Sequence, residues 1–169
     1  MKTFTDAAGR TWTLSLTLGS AIRVKDTLGI DLLQPEVGDS DSGGPLLTRL
    51  GTDEMLLGEV ICCLLAPQIE AHQITEQQVR DSFDGGTLLA AQRAFYAELV
   101  DFFQGRGRGD RAKAVAAQAS LIETAVKAIE TRIEAIDTRE MVHQAIEGSS
   151  AEAALIRGRT SGSSPASSG

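Results

Sequence analysis

The chain is poor in aromatic residues, and none follows Phe103. Phe4, Trp12, Phe83, Phe95, Tyr96, Phe102 and Phe103 are the full set. Aromatics supply the largest buried apolar areas, so the core is expected to end near that point. Basic charge is scarce over the same span. Residues 1–105 carry 7 Lys and Arg against 15 Asp and Glu, while residues 106–169 carry 9 against 8. An acidic head argues against nucleic acid as a partner, because such binding starts with phosphate neutralisation. The only cysteines, Cys62 and Cys63, are adjacent. Neighbouring thiols rarely bridge each other and are too few for a tetrahedral zinc site. Reduced thiols point to the cytoplasm. Long apolar runs are missing too. The stretch from Met55 to Pro67 contains Glu59 and is too short to span a bilayer. Lys2, Thr3, Thr5 and Asp6 interrupt the start where a secretory signal would be apolar. No membrane association is expected.

What remains is a chain of 169 residues, enough for one domain or a smaller one with an appendage. Residues 2–5 read as a short strand and Asp6 to Gly9 as a turn. Residues 10–18 alternate, with Trp12, Leu14, Leu16 and Leu18 on one face. Ser20 is the expected N-cap of a helix over 21–28 that Gly29 ends. Gln34 to Pro45 reads as a loop, and Leu46 to Leu50 as a single helical turn. Thr52 is expected to cap a helix from Asp53 to Ala66, with Met55, Leu56, Val60, Cys63 and Leu64 along its buried stripe, which Leu57 and Ile61 widen. Pro67 should end or kink it, with a short continuation to His72. Thr75 to Gln78 fits a capping box that opens a short helix to about Phe83. Asp84-Gly85-Gly86 should break it, and Thr87 should open a helix to about Gln104.

The expected fold class is α+β and mainly α-helical. A head of β-hairpin and helices fills residues 1–104. A Gly/Arg hinge occupies 105–109. One long amphipathic helix, able to form a coiled coil, covers 110–147, and a low-complexity disordered tail covers 148–169. Val115, Ala119, Ile122, Val126, Ile129, Ile133 and Ile136 recur at spacings of four and three, which makes an a/d seam. That seam is narrow enough to need a partner helix. The expected partner-binding residues are Ile122, Val126, Ile129, Ile133 and Ile136, with Phe102 and Phe103 beside the hinge.

No catalytic, cofactor-binding or metal-binding set emerges. Asp39-Ser40-Asp41-Ser42-Gly43-Gly44-Pro45-Leu46 looks like the nucleophile signature of chymotrypsin-like proteases, with Ser42 as nucleophile. That chemistry needs a histidine and an aspartate on two β-barrels upstream. Here no histidine precedes Ser42; His72 and His143 follow it in helical stretches. The run reads as a polar loop. Arg108-Gly109-Asp110 matches the integrin tripeptide, but Asp110 reads better as a helix N-cap. Arg106, Arg108, Arg111 and Lys113 cluster without interleaved aromatics for base stacking, so they read as a solvated joint or an acidic partner's contact.

One pattern points further. Phe4-Thr5-Asp6 with Gly9-Arg10-Thr11-Trp12 is followed by Ile22-Arg23-Val24-Lys25 and by Leu28-Gly29-Ile30-Asp31-Leu32-Leu33. Leu56 to Pro67 and Ala97 to Phe103 continue it more loosely. This pattern, over residues 2–104, resembles phage and prophage tail assembly chaperones. The resemblance implies a non-enzymatic role in the host cytoplasm during phage assembly. It implies binding to a tape-measure protein, help in tail tube assembly, and tape-measure and tail tube proteins as partners. A homo-oligomer through the C-terminal helix is a further expectation. The alternative is a structural minor tail or connector protein that stays in the phage particle.

Overall fold

In the computed structural model, residues 1–39 and 44–132 are described. The chain divides into a compact unit, Met1–Glu123, and a second unit from Thr124 onward. The first unit opens on an antiparallel hairpin of β1 (Lys2–Thr5) and β2 (Thr11–Leu14), with Phe4 opposite Trp12. Gly9 turns it with a φ of +80°, a left-handed conformation that glycine adopts without strain.

The alternation buries Trp12, Leu14 and Leu16, as expected, but Leu18 is exposed. The strand stops at Leu14 because Thr17 is drawn into capping α1 (Leu18–Leu28). Thr17 Oγ1 accepts from Ser20 N, and Ser20 Oγ accepts from Thr17 N. Ser20, the expected N-cap, is thus the reciprocal partner in a capping box. Gly29 ends α1 at a φ of +71°, as its sequence position predicts.

Where a plain loop is expected, β3 (Gly38–Asp39) pairs with β4 (Gly44–Pro45). The chain then enters α2 (Leu46–Thr52) and α3 (Glu54–Ala71). Asp53, not Thr52, caps α3: its carboxylate accepts from Leu56 N at 2.9 Å, while the Thr52 hydroxyl donates to Thr48 O. Helix α3 packs against β2, α1 and three other helices, two of which follow it in the chain. Its buried side is therefore broad and turned from the expected stripe. Leu57, Val60, Ile61, Leu64, Leu65 and Ile69 are buried, whereas Met55 is exposed.

Pro67 does not end α3. A proline at this position removes the N–H that would bond Cys63 O. The Arg23 guanidinium, reaching across from α1, donates to that carbonyl at 3.3 Å instead. The next residue, Gln68, faces the hairpin. Its Nε2 donates to Thr13 O at 2.7 Å, and its Oε1 accepts from Thr13 N at 3.0 Å.

The short α4 (Glu76–Arg80) starts at the Thr75–Gln78 capping box, as expected. Asp84 caps α5 (Gly85–Gly105) through Thr87 N at 2.7 Å, so the two glycines begin that helix rather than break the chain. Helix α5 buries Ala91, Phe95, Tyr96, Leu99 and Phe103. The Tyr96 hydroxyl donates to Leu47 O at 3.0 Å, and burial pushes its pKa up.

The expected hinge is a hydrogen-bonded turn. Arg106 N donates to Phe102 O, Gly107 N to Gln104 O and Arg108 N to Phe103 O. Residues 109–123, which we call α6, are helical. They complete the core of the first unit instead of standing apart from it. Ala112 and Val115 are buried, and Ala119 and Ile122 pack on the core. Arg111 bonds Leu33 O and Glu36, which fastens α6 to the segment after α1. A Cβ at Gly51 would lie 2.9 Å from Ile122 Cδ1, so α2 and α6 approach closely there. The compact unit thus ends at Glu123 rather than 104. Residues 124–132 of the second unit are helical as well. The remainder of the expected 110–147 helix and the 148–169 tail lie outside the described residues.

A chain ended after residue 105 should melt well below one ended after residue 123. It loses the buried Val115, worth about 1.5–3 kcal/mol alone, and the Arg111 bonds. Equal melting temperatures would contradict this. Separately, Arg23→Ala should cost about 1–3 kcal/mol by leaving Cys63 O unsatisfied. The same change in a Pro67→Ala background should cost less, since alanine at that position restores the helical donor; a denaturation double-mutant cycle measures the difference.

Candidate interaction surfaces

The most developed polar cluster sits where the hairpin turn meets the end of α4. Asp6 is buried, and five groups converge on its carboxylate. Oδ1 accepts from Ala8 N and Arg10 N at 3.0 and 2.9 Å. Oδ2 accepts from Arg10 Nε at 2.7 Å, Trp12 Nε1 at 2.9 Å and Ser82 Oγ at 3.0 Å. Arg10 also donates to Ser82 Oγ and Gln78 O. Burial alone would raise the Asp6 pKa; the donors from Trp12, Arg10 and Ser82 outweigh it and lower it to about 2. A carboxylate so fully engaged is a poor proton acceptor at neutral pH. Its evident work is to tie residues 6–12 to residues 78–82, with only a shallow depression outside it.

The hairpin has two unlike edges. The Gln68 amide occupies Thr13 on the outer side of β2, taking both the donor and the acceptor that another strand would use. Just beyond β2, Leu16 N donates to Glu98 Oε1 at 2.9 Å. The β1 edge differs. Since Thr13 turns its backbone groups away from β1, its register partner Thr3 turns its own away from β2. The bond from Asp6 N to Arg10 O fits the same alternation. The outward backbone groups of Thr3 and Thr5 have no hydrogen-bond partner among the described residues, and both residues are exposed.

The expected partner-binding residues separate into three groups. Phe103 is 1% exposed and belongs to the core, so it is corrected from a contact residue to an internal one. Ile122 packs on the core beside Gly51, and Phe102 is half-buried with the Arg106 guanidinium over its ring. The aromatic pair is consumed internally because α6 follows α5 without a free joint. Within the second unit, Val126 is half-buried and Ile129 is 59% exposed. Ile133 and Ile136 lie outside the described residues. Two exposed apolar residues in α1, Leu18 and Ile22, were missed as surface candidates. Their spacing of four was visible, but the alternation assigned Leu18 to the strand.

The basic cluster is largely engaged. Arg108 grips Asp110 through two bonds, Nε at 3.0 Å and Nη2 at 2.7 Å, and holds that carboxyl well below its usual range. Asp110 is therefore paired rather than acting as the cap. Arg111, besides its bonds to Leu33 O and Glu36, stacks over Phe103. Cys62 is buried, which pushes its thiol pKa up and makes it a small apolar core group. His72 stacks edge-on against Trp12. Ser42 and His143 lie outside the described residues. Among the described residues no His, Cys, Asp and Glu cluster is suited to a metal, and no helix is long and apolar enough to cross a membrane.

The Asp6 carboxyl titrates near 3.8 when unfolded and about 2 when folded, so its stabilisation is complete above about pH 4 and lost as the pH falls toward 2. The contribution is about 2 kcal/mol. Asp6→Asn should flatten that part of the stability profile in chemical denaturation; an unchanged acid slope would refute the assignment.

Comparison of the chain with protein families, with curated proteins and with solved structures gives no match.

Proposed function

We propose that this chain is a non-enzymatic phage tail assembly chaperone that binds a tape-measure protein and assists tail tube assembly. The observation that carries the reading is the run from Phe4 to Leu33, whose pattern resembles that family and folds as the hairpin and capped helix that the pattern implies. The physical requirements of the task agree with it. A tape measure is a long helical chain with apolar stripes. A protein that shields it needs apolar groups on an otherwise soluble surface. Leu18 and Ile22 lie one turn apart on the exposed side of α1, and residues 1–105 carry a strong acidic excess. The acidic excess keeps such a surface from associating indiscriminately.

Co-expression with the tape-measure protein of the same tail module tests the reading. The intact chain should raise the soluble yield of that client several-fold, and Leu18→Asp with Ile22→Asp should remove most of the gain without lowering the melting temperature. Finished particles should lack the chain by mass spectrometry. A stoichiometric presence in particles would instead make it a structural tail component, and an unchanged client yield would defeat the chaperone reading.

A further inference from the structure

Alternate residues of β1 turn their backbone away from β2. Thr3 and Thr5 are those residues, and the N–H and C=O of each meet no hydrogen-bond partner among the described residues. Both residues are exposed. On β2 the matching groups of Thr13 are held by Gln68. An open strand edge is commonly guarded by an outward charge, a proline or a bulge. Strand β1 has none of these. Its pairing with β2 is regular, it holds no proline, and its one charged side chain, Lys2, is drawn onto Asp101 of α5 at 2.8 Å.

The residues of β1 say which strand fits. The open groups sit symmetrically about Phe4. An antiparallel copy of β1, with Thr3 opposite Thr5, pairs every one of them and sets Phe4 opposite Phe4 on the buried side of the sheet. Each copy presents the same row of donors and acceptors, so the pairing is two-fold. The side chains agree with it. On the solvent side, Thr3 and Thr5 already lie beside Thr13 and Thr11 of their own hairpin. The second copy places its Thr5 and Thr3 on their other flank, and threonine beside threonine is a cross-strand pair that sheets favour. On the buried side, Lys2 stands opposite Asp6, so opposite charges meet and no like charges do. An unrelated strand would have to supply this pattern of its own. A second copy carries it already.

We infer that two copies of this chain pair through their β1 edges as antiparallel strands, with Thr3 opposite Thr5, joining the two hairpins into one sheet. The contact rests on a single pair of short strands, so the association is weak and concentration-dependent. It needs no client and stands apart from the chaperone reading.

Amide hydrogen exchange of the full chain, read residue by residue at low and high concentration, tests it. The Thr3 and Thr5 N–H groups should exchange freely in dilute solution and about tenfold more slowly in concentrated solution. Sedimentation equilibrium of two double variants then tests the register. Thr3→Lys with Thr5→Lys sets like charges opposite each other across the contact and should weaken association about tenfold. Thr3→Lys with Thr5→Glu sets opposite charges there and should hold or strengthen it. Both side chains stand in solvent in the single chain, so neither variant should lower its melting temperature in dilute solution. Thr3 and Thr5 amides that stay unprotected at every concentration overturn the inference, whatever association other surfaces produce. So does an equal response to the two double variants.

Discussion

A helix that is apolar on most of its circumference cannot rest against one neighbour; it needs to be surrounded. Helix α3 imposes that demand on this molecule. Its buried side chains from Leu57 to Ile69 are met by the hairpin, by α1 and by three other helices, and most of the chain's early elements exist in the positions that cover it. The cover is fastened by polar contacts that α3 itself makes available. Pro67 frees a carbonyl that Arg23 takes, and Gln68 presents an amide that the hairpin takes. A residue that ordinarily ends helices thus marks the place where this one is joined to its surroundings.

Much of this was legible in the residues. The hairpin, the Gly29 terminator, the Thr75–Gln78 box and the mainly helical α+β class all follow from local chemistry. Sequence pattern and structure part where two local signals compete for one residue. Leu18 fits both a strand alternation and a helix start, and the reciprocal Thr17–Ser20 capping decided it. Thr52 and Asp53 are both acceptable caps, and Thr52 bonded back to Thr48 instead. The last aromatic does not mark the end of the core. Ala112 and Val115 are small, but they fit where α6 lies close to its neighbours. Gly51 leaves the space for Ile122 that any side chain would have filled. Such close packing depends on which elements meet, and the spacing of residues along one helix does not record it.

The polar interior is less conspicuous in sequence and matters as much. Asp6, Arg10, Trp12 and Ser82 span more than seventy positions, so no local pattern could announce them as one network. Within the folded chain they supply what a two-stranded hairpin lacks: a fixed angle against the helices behind it. Glu98 plays a related part from α5, holding Leu16 N where the chain leaves β2 for α1. The apolar contacts make the unit compact, and these carboxylates determine where its strands lie.

The single glutamine on the outer side of β2 has a geometric consequence. It imitates a peptide group, so the outward donor and acceptor of Thr13 are already taken. The side chain that fixes the hairpin to α3 therefore also withholds the outward backbone pair of Thr13 from any other strand.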